Sequence, residues 1–378
     1  MKKILFALSV ILSLTACTDD EIASPEIELT EPNGGYRIDK MQWLRIQPEI
    51  KNSNEATFSW TVEGNEISNT ADLLYVFGEA GTYNIVLKAK NAGGEISKTF
   101  VVTVNEKTYL NKITRVFDFL PAPGQSVNKL PAAIDKDIDK VTKDTDETMR
   151  IKAETSLTTN GMVSLGGFGG YVTFGFDHTI INKEGNDFIV HGNALATWAE
   201  PGTIMVSYDA NGNGKADDEW YEIAGSEYNK ETTIKNYEMT YYKPEIETKA
   251  SLAEYIRWTD NQGQTGYISK NAFNTQAYYP VWKGATITFK GTFLKSNIAG
   301  SGNNWSNLPY EWGYSDNWAN TNEKAQINID WAVDKDGKTV KLKGIDFIKV
   351  YSSNRAEGGW LGEVSTEVSG FTDLNLQK

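Results

Sequence analysis

The chain has 378 residues, a formal charge of −13 and an apolar fraction of 40%. A surface this acidic repels phosphate backbones, which excludes nucleic acid as a partner. A single cysteine, Cys17, excludes disulfides and any multi-cysteine metal site.

Met1-Lys2-Lys3 precedes an apolar run from Ile4 to Leu14. Basic residues before a short apolar stretch make a signal peptide, here residues 1–16. The run is shorter than the roughly 20 residues a membrane-spanning helix needs. Leu14-Thr15-Ala16-Cys17 looks like a bacterial lipobox, in which cleavage precedes the cysteine and its sulfur takes a lipid. Thr18, Asp19, Asp20 and Glu21 resemble the acidic surface-export signal of Bacteroidetes lipoproteins. Residues 17–25 are therefore expected to be a lipidated tether holding the protein on the outer face of an outer membrane.

Residues 26–105 read as short strands separated by turns. Ala56–Val62 and Gly81–Ala89 alternate polar and apolar side chains at period two, and Thr99–Val104 closes the segment. Glu63-Gly64-Asn65 and Asn91–Gly94 supply turns. The pattern resembles a PKD-like, immunoglobulin-type sandwich through Phe58, Trp60, Gly81, Tyr83, Ala89, Asn91 and Gly94. Such domains imply a spacer.

Residues 106–378 are expected to form a second, larger domain. Ile113–Phe119 reads as its entry strand, and Leu120–Gly124 breaks it. Asp144 is placed to cap a short helix from Thr145 to Leu157, with Glu147 as capping partner. From Gly161 onward the pattern is β, with strands expected at 187–190, 203–208, 221–224, 285–289, 325–330, 339–342 and 347–351. The glycines of Gly166–Gly170 lack the Lys-Ser/Thr and following helix of a phosphate loop and read as a tight turn. Many short strands and one helix predict an all-β protein: an Ig-like sandwich, then a jelly-roll or galactose-binding-like sandwich.

The sharpest chemical motif is Asp209-Ala-Asn211-Gly-Asn213-Gly214-Lys215-Ala-Asp217-Asp218-Glu219. Oxygen side chains at positions one, three, five and nine, with glycine at six, match the start of a calcium loop. Position twelve is Trp220 where an EF-hand has glutamate, so Asp218 or Glu219 would substitute. A bound calcium would be structural and would orient Trp220. The plain alternative is an Asn/Gly-rich hairpin with a solvated tip.

Glu363, Glu367 and Asp373 could reach a metal or ligand, although solvated loops explain them more simply. His178 and His191 are the only histidines, no Gly-x-Ser-x-Gly is present, and both read as strand-edge residues. Two facing carboxylates would suffice for a glycosidase, and no sequence feature singles out such a pair. The chain is read as a non-enzyme.

The ligand-like material is aromatic: Trp198, Trp220 and Trp258, then Trp305, Tyr310, Trp312, Tyr314 and Trp318 in a polar stretch of weak strand periodicity. Exposed rings beside Asn and Asp form stacking platforms with hydrogen-bonding rims. Trp305 and Trp318 are the favoured contact residues, against the alternative of a loop with its rings tucked inside.

Four segments, Gly166–Asp177, Asp187–Asn193, Val206–Tyr221 and Gly344–Glu367, resemble a family of Bacteroidetes cell-surface lipoproteins in which a PKD-like domain precedes a β-sandwich. The resemblance runs from about Ile113 to the C-terminus. Members resemble accessory lipoproteins encoded beside TonB-dependent vitamin B12 receptors. This implies capture of cobalamin or another corrinoid for such a transporter. A likeness to galactose-binding sandwiches implies glycan binding instead.

Overall fold

A computed structural model describes residues 22–134, 142–245 and 247–376. The signal-like run and Cys17 lie outside them. Among the described residues no helix is long and apolar enough to cross a membrane. The chain divides into two compact units: one comprises residues up to Ile38, Leu44–Tyr75 and Ala80–Asn105, the other Asp39–Trp43, Val76–Glu79 and Glu106–Lys378.

The N-terminal unit is built on a five-stranded antiparallel sheet. Its long hairpin pairs Gly81–Asn91 with Gly94–Asn105 in unbroken register. Alternation sends Ile85, Leu87, Ala89, Phe100 and Val102 inward, each fully buried. The turn closes because Asn91 Oδ1 accepts the amides of Gly93 and Gly94. Trp60 lies 5.6 Å from the Phe100 ring and donates its indole N–H to the carbonyls of Thr70 and Ala71.

The C-terminal unit has two main sheets. The first has six strands in the order Arg115–Leu120, Tyr171–Ile181, Gly344–Ser352, Gly202–Ser207, Tyr221–Ile223 and Ala332–Val333, all antiparallel. One face carries Val172, Phe174, Ile204, Val206, Ile348 and Val350 into the main core, shared with a three-stranded sheet and the helix. The second sheet has four strands in the order Thr265–Lys270, Leu252–Asp260, Ile234–Tyr242 and Thr286–Phe293, over a separate core of Tyr237, Met239, Tyr241, Ile256 and Phe289.

The helix spans Asp146–Thr158, with Thr145 as N-cap and Thr148 completing the capping box. This shifts the expected cap by one residue. Asp144 instead accepts the Ile134 amide and pairs with Lys152 at 2.7 Å. The strand expected at 325–330 is a two-residue strand between short 3-10 turns, and 339–342 forms only an isolated bridge. Three strands of the second sheet were not read from the sequence. In one of them, Ile234–Tyr242, the alternating Tyr237, Met239 and Tyr241 are core residues.

Candidate functional site

The outer face of the six-stranded sheet carries mostly polar and aromatic residues where its inner face is apolar. Strand register sets them in two rows. Thr173, Lys349, Met205 and Glu222 are successive cross-strand neighbours, and Tyr171, Tyr351 and Thr203 form the row beside them. The strand Thr286–Phe293 of the second sheet walls one side. Its approach needs Gly291, because a Cβ there would lie 2.8 Å from the Tyr351 ring. Trp220, Tyr228, Lys235 and Asn236 also line the space. The result is a groove of about 780 Å³, within the range of small-ligand sites, about 300–1,000 Å³.

Lysines dominate its charge. Lys349 Nζ lies 4.8 Å from the Tyr171 ring centre and 5.1 Å from that of Trp220. Burial pushes its pKa below the ordinary value, opposed by the Asp118 carboxylate. Lys235 sits over the Tyr228 ring, 3.8 Å from Glu222, and burial pushes it down to about 8 against the pull of that carboxylate. Glu222 is raised by burial, although Lys235 and the Thr292 hydroxyl, donating at 2.7 Å, favour its ionised form. Donors, an acceptor and ring faces thus converge on one cleft.

The calcium-like segment is the hairpin connection between two floor strands, Gly202–Ser207 and Tyr221–Ile223, and Trp220 stands at its exit. Asp209 accepts the amides of Gly212, Asn213 and Gly214, and its own amide donates to Asp346. The amide nitrogens of Asn211 and Asn213 face Asp217 and Asp218. Asp218 Oδ2 is buried without a partner, and burial followed by the charges of Asp209 and Asp217 raises this carboxyl. The set is all oxygen, as a hard cation requires, and the orphaned oxygen fits one. Glu219 offers its carbonyl to Ser207 and its carboxylate to Tyr221, and the Lys215 side chain is exposed.

A second cluster was read from the sequence only through Glu367; Glu200 and Asp316 were not candidates. Oxygens of Glu200, Asp316 and Glu367 lie within 4.8 Å of one another. Burial, then mutual charge, raises Glu200 and Asp316. Burial likewise raises Glu367, against hydrogen bonds that favour its ionised form. Asp316 accepts the amides of Asn193 and Glu367. A cavity of about 240 Å³ opens beside Glu200 and Glu367. Glu363, Glu367 and Asp373 are buried, not solvated: Glu367 and Asp373 lie in the short paired strands Glu367–Val368 and Gly370–Asp373, and Glu363 in the segment leading into them. His178 is also buried, between Asp177 and Asp373, rather than at a strand edge.

The eight aromatic candidates do not form one surface. Trp220 alone lines the large groove. Tyr310 and Tyr314 are 2% exposed and pack with Leu294. Trp258 is buried beneath the Arg355 guanidinium. Trp312 pairs with Trp331 at a shallow recess, ring centres 4.5 Å apart, and Trp318 donates to the carbonyls of Tyr310 and Glu311. Trp198 packs against Gly358 and lines the cavity beside Glu200 and Glu367, and Trp305 packs against Gly359 beside the exposed Trp360. Lys349, Lys235, Glu222 and Tyr171 went unread. The available signal was Lys349 at the centre of the otherwise apolar run Phe347–Tyr351, where it must face away from the core.

Among the described residues the fold is that of an all-β protein with one α-helix. A family model described as a PKD-like domain matches residues 24–91, so the N-terminal unit carries such a domain. No curated protein sequence matches the chain. Among solved structures, the chain overlays a quinonprotein alcohol dehydrogenase-like protein from Bacteroides thetaiotaomicron at 13% identity and TM-score 0.20. The match covers 65% of this chain and half of that one. The SGBP-B protein of the Bacteroides ovatus mixed-linkage glucan utilization locus, solved with a mixed-linkage heptasaccharide, overlays at 13% identity and 0.20, covering 91% and 70%. A carbohydrate-binding module of the β-sandwich superfamily overlays at 9% and 0.19, covering 94% and 99%. Overlaps this loose transfer neither an arrangement nor a function.

Proposed function

We propose that this chain is a cell-surface lipoprotein that binds a glycan in the groove over the six-stranded sheet, with no catalytic role. One observation carries the reading. The groove joins ring faces of Trp220 and Tyr228 to donors and acceptors on Lys235, Asn236 and Glu222. Sugars present both an apolar ring face and a rim of hydroxyls, so aromatic faces bordered by hydrogen-bonding groups complement them. Surface anchoring rests on the lipobox-like segment ending at Cys17. Calcium in the loop after Tyr208 serves to fix Trp220, and the PKD-like domain serves as a spacer.

Corrinoid capture for a TonB-dependent receptor would draw on a broad aromatic platform edged with asparagine. The candidate rings of 305–318 are divided between the core and separate recesses, so this second reading has less support than the first. Affinity electrophoresis of the soluble chain from Thr18 onward through polysaccharide-containing gels tests glycan binding. Retardation that Trp220→Ala removes is the expected result. Migration unaffected by every polysaccharide, together with calorimetric binding of cyanocobalamin, would replace this reading with the corrinoid one.

A further inference from the structure

The groove holds an ammonium group that the protein does not use. Lys349 Nζ has three N–H donors, and among the described residues it has neither a hydrogen bond nor an ion pair. Only the faces of Tyr171 and Trp220 and the more distant Asp118 attend it. Asp118 is itself engaged, accepting the Tyr171 hydroxyl at 2.6 Å. Lys349 projects from the centre of a six-stranded sheet, where backbone pairing on both sides fixes its Cα. Directly opposite in register, the buried Thr173 hydroxyl also lacks a partner. Partly burying a charge without a partner is unfavourable. An acceptor arriving from the groove would relieve that penalty.

The rest of the lining points the same way. Lys290 on the wall strand also makes no ion pair among the described residues, and Lys235 and Lys335 bring further positive charge. Glu222, Asp334 and Asp336 are the carboxylates of the lining, and Lys235 and Lys335 pair with Glu222 and Asp336. The groove therefore presents two unpaired ammonium groups, in a chain of net charge −13. Long-range forces on such a chain repel anions, so capture of one depends on local positive charge of the kind this cleft presents.

Resting on the glycan reading, we propose that the groove selects acidic glycans, with Lys349 receiving the carboxylate or sulfate of one sugar unit between the rings of Tyr171 and Trp220. Lys290 receives the next charge along the wall. Neutral glycans of the same backbone leave the Lys349 donors unsatisfied and bind more weakly.

The test uses the full soluble chain and paired gels: polygalacturonate against its fully methyl-esterified form, and dextran sulfate against dextran. The first pair reads carboxylate, the second sulfate. Stronger retardation by either acidic member is expected. Lys349→Met, which keeps an unbranched stem between the rings, should weaken that retardation by roughly tenfold or more, as loss of a charged hydrogen bond does. Lys290→Gln, on the exposed wall, should reduce it less and serves if the Met variant fails to fold. Equal retardation by charged and neutral members, or insensitivity to both substitutions, overturns acidic selection and leaves glycan binding standing. Retardation by none of the four likewise overturns acidic selection, and the wider polysaccharide series with cyanocobalamin titration then decides the glycan reading itself.

Discussion

Lys349 Nζ lies 5.1 Å from the centre of the Trp220 ring, yet the two residues reach that contact from different directions. Lys349 is fixed by the middle of a central strand, whereas Trp220 is fixed by the end of a hairpin loop. The floor of the groove is thus rigid, and one wall depends on how well the loop of residues 209–219 is held.

Trp220→Ala should cost about 2 kcal/mol of glycan binding, roughly thirtyfold in Kd, as truncation of a central aromatic anchor does. Trp220 is only partly buried, so the melting temperature should change little. Calorimetric titration beside a melting curve checks both. An equal loss of stability and binding would make Trp220 a structural residue.

The strands of the six-stranded sheet were largely legible because they are short runs of β-branched and aromatic residues, as in Thr203–Ser207 and Phe347–Tyr351. The second sheet was not, although Tyr237, Met239 and Tyr241 alternate. Tyrosine suits both a core and a ligand face, and only packing decides between them. Tyr241 donates to the Phe168 carbonyl from a fully buried position. The same ambiguity concealed the fate of Tyr310 and Tyr314. The carboxylate cluster was hidden for another reason: Glu200, Asp316 and Glu367 stand far apart in sequence and meet only through the fold.

Binding of an acidic glycan should weaken as pH rises through about 8, where Lys235 loses its proton. Burial lowers this group, and Glu222, 3.8 Å away, holds it partly back. The ammonium is therefore present below that pH and lost above it, with attraction for an anion following. Titrations at pH 6.5 and 9 should show weaker binding at the higher pH, and Lys235→Gln should flatten the difference. A Gln variant with an unchanged pH profile would assign the dependence elsewhere, with Lys349 as the next group to test.

Chelation should loosen the wall. A cation bound only by the folded loop stabilises the protein by about 2.7 kcal/mol at a concentration one hundred times its Kd. Stripping calcium should therefore lower the melting temperature, and Asp218→Asn should abolish the response because it removes the buried, unpartnered carboxylate oxygen. Glycan affinity should fall with the stripped metal, since Trp220 directly follows the loop. Identical melting curves in calcium and in chelator would leave the segment as a self-bonded hairpin, closed by the Asn211 and Asn213 amides.

Glu363 should make the protein less stable as pH rises. Its carboxyl is buried, its Oε1 has no partner, and only the Gln125 amide donates to Oε2. Burial raises its pKa to about 8, with the charges of Glu367 and Glu357 adding to the effect and the Gln125 amide opposing it. Between the ordinary value of 4.5 and about 8, the folded chain keeps a proton that the unfolded chain has released. Within that window each pH unit removes roughly 1.4 kcal/mol of stability. Denaturant melts at pH 5.5 and 7.5 should show the loss, and Glu363→Gln, which keeps shape without a titrating group, should remove its share of it, leaving the share of the raised Glu200, Asp316 and Glu367. If the variant loses as much stability as the parent over that interval, the slope belongs to Glu200, Asp316 and Glu367 instead.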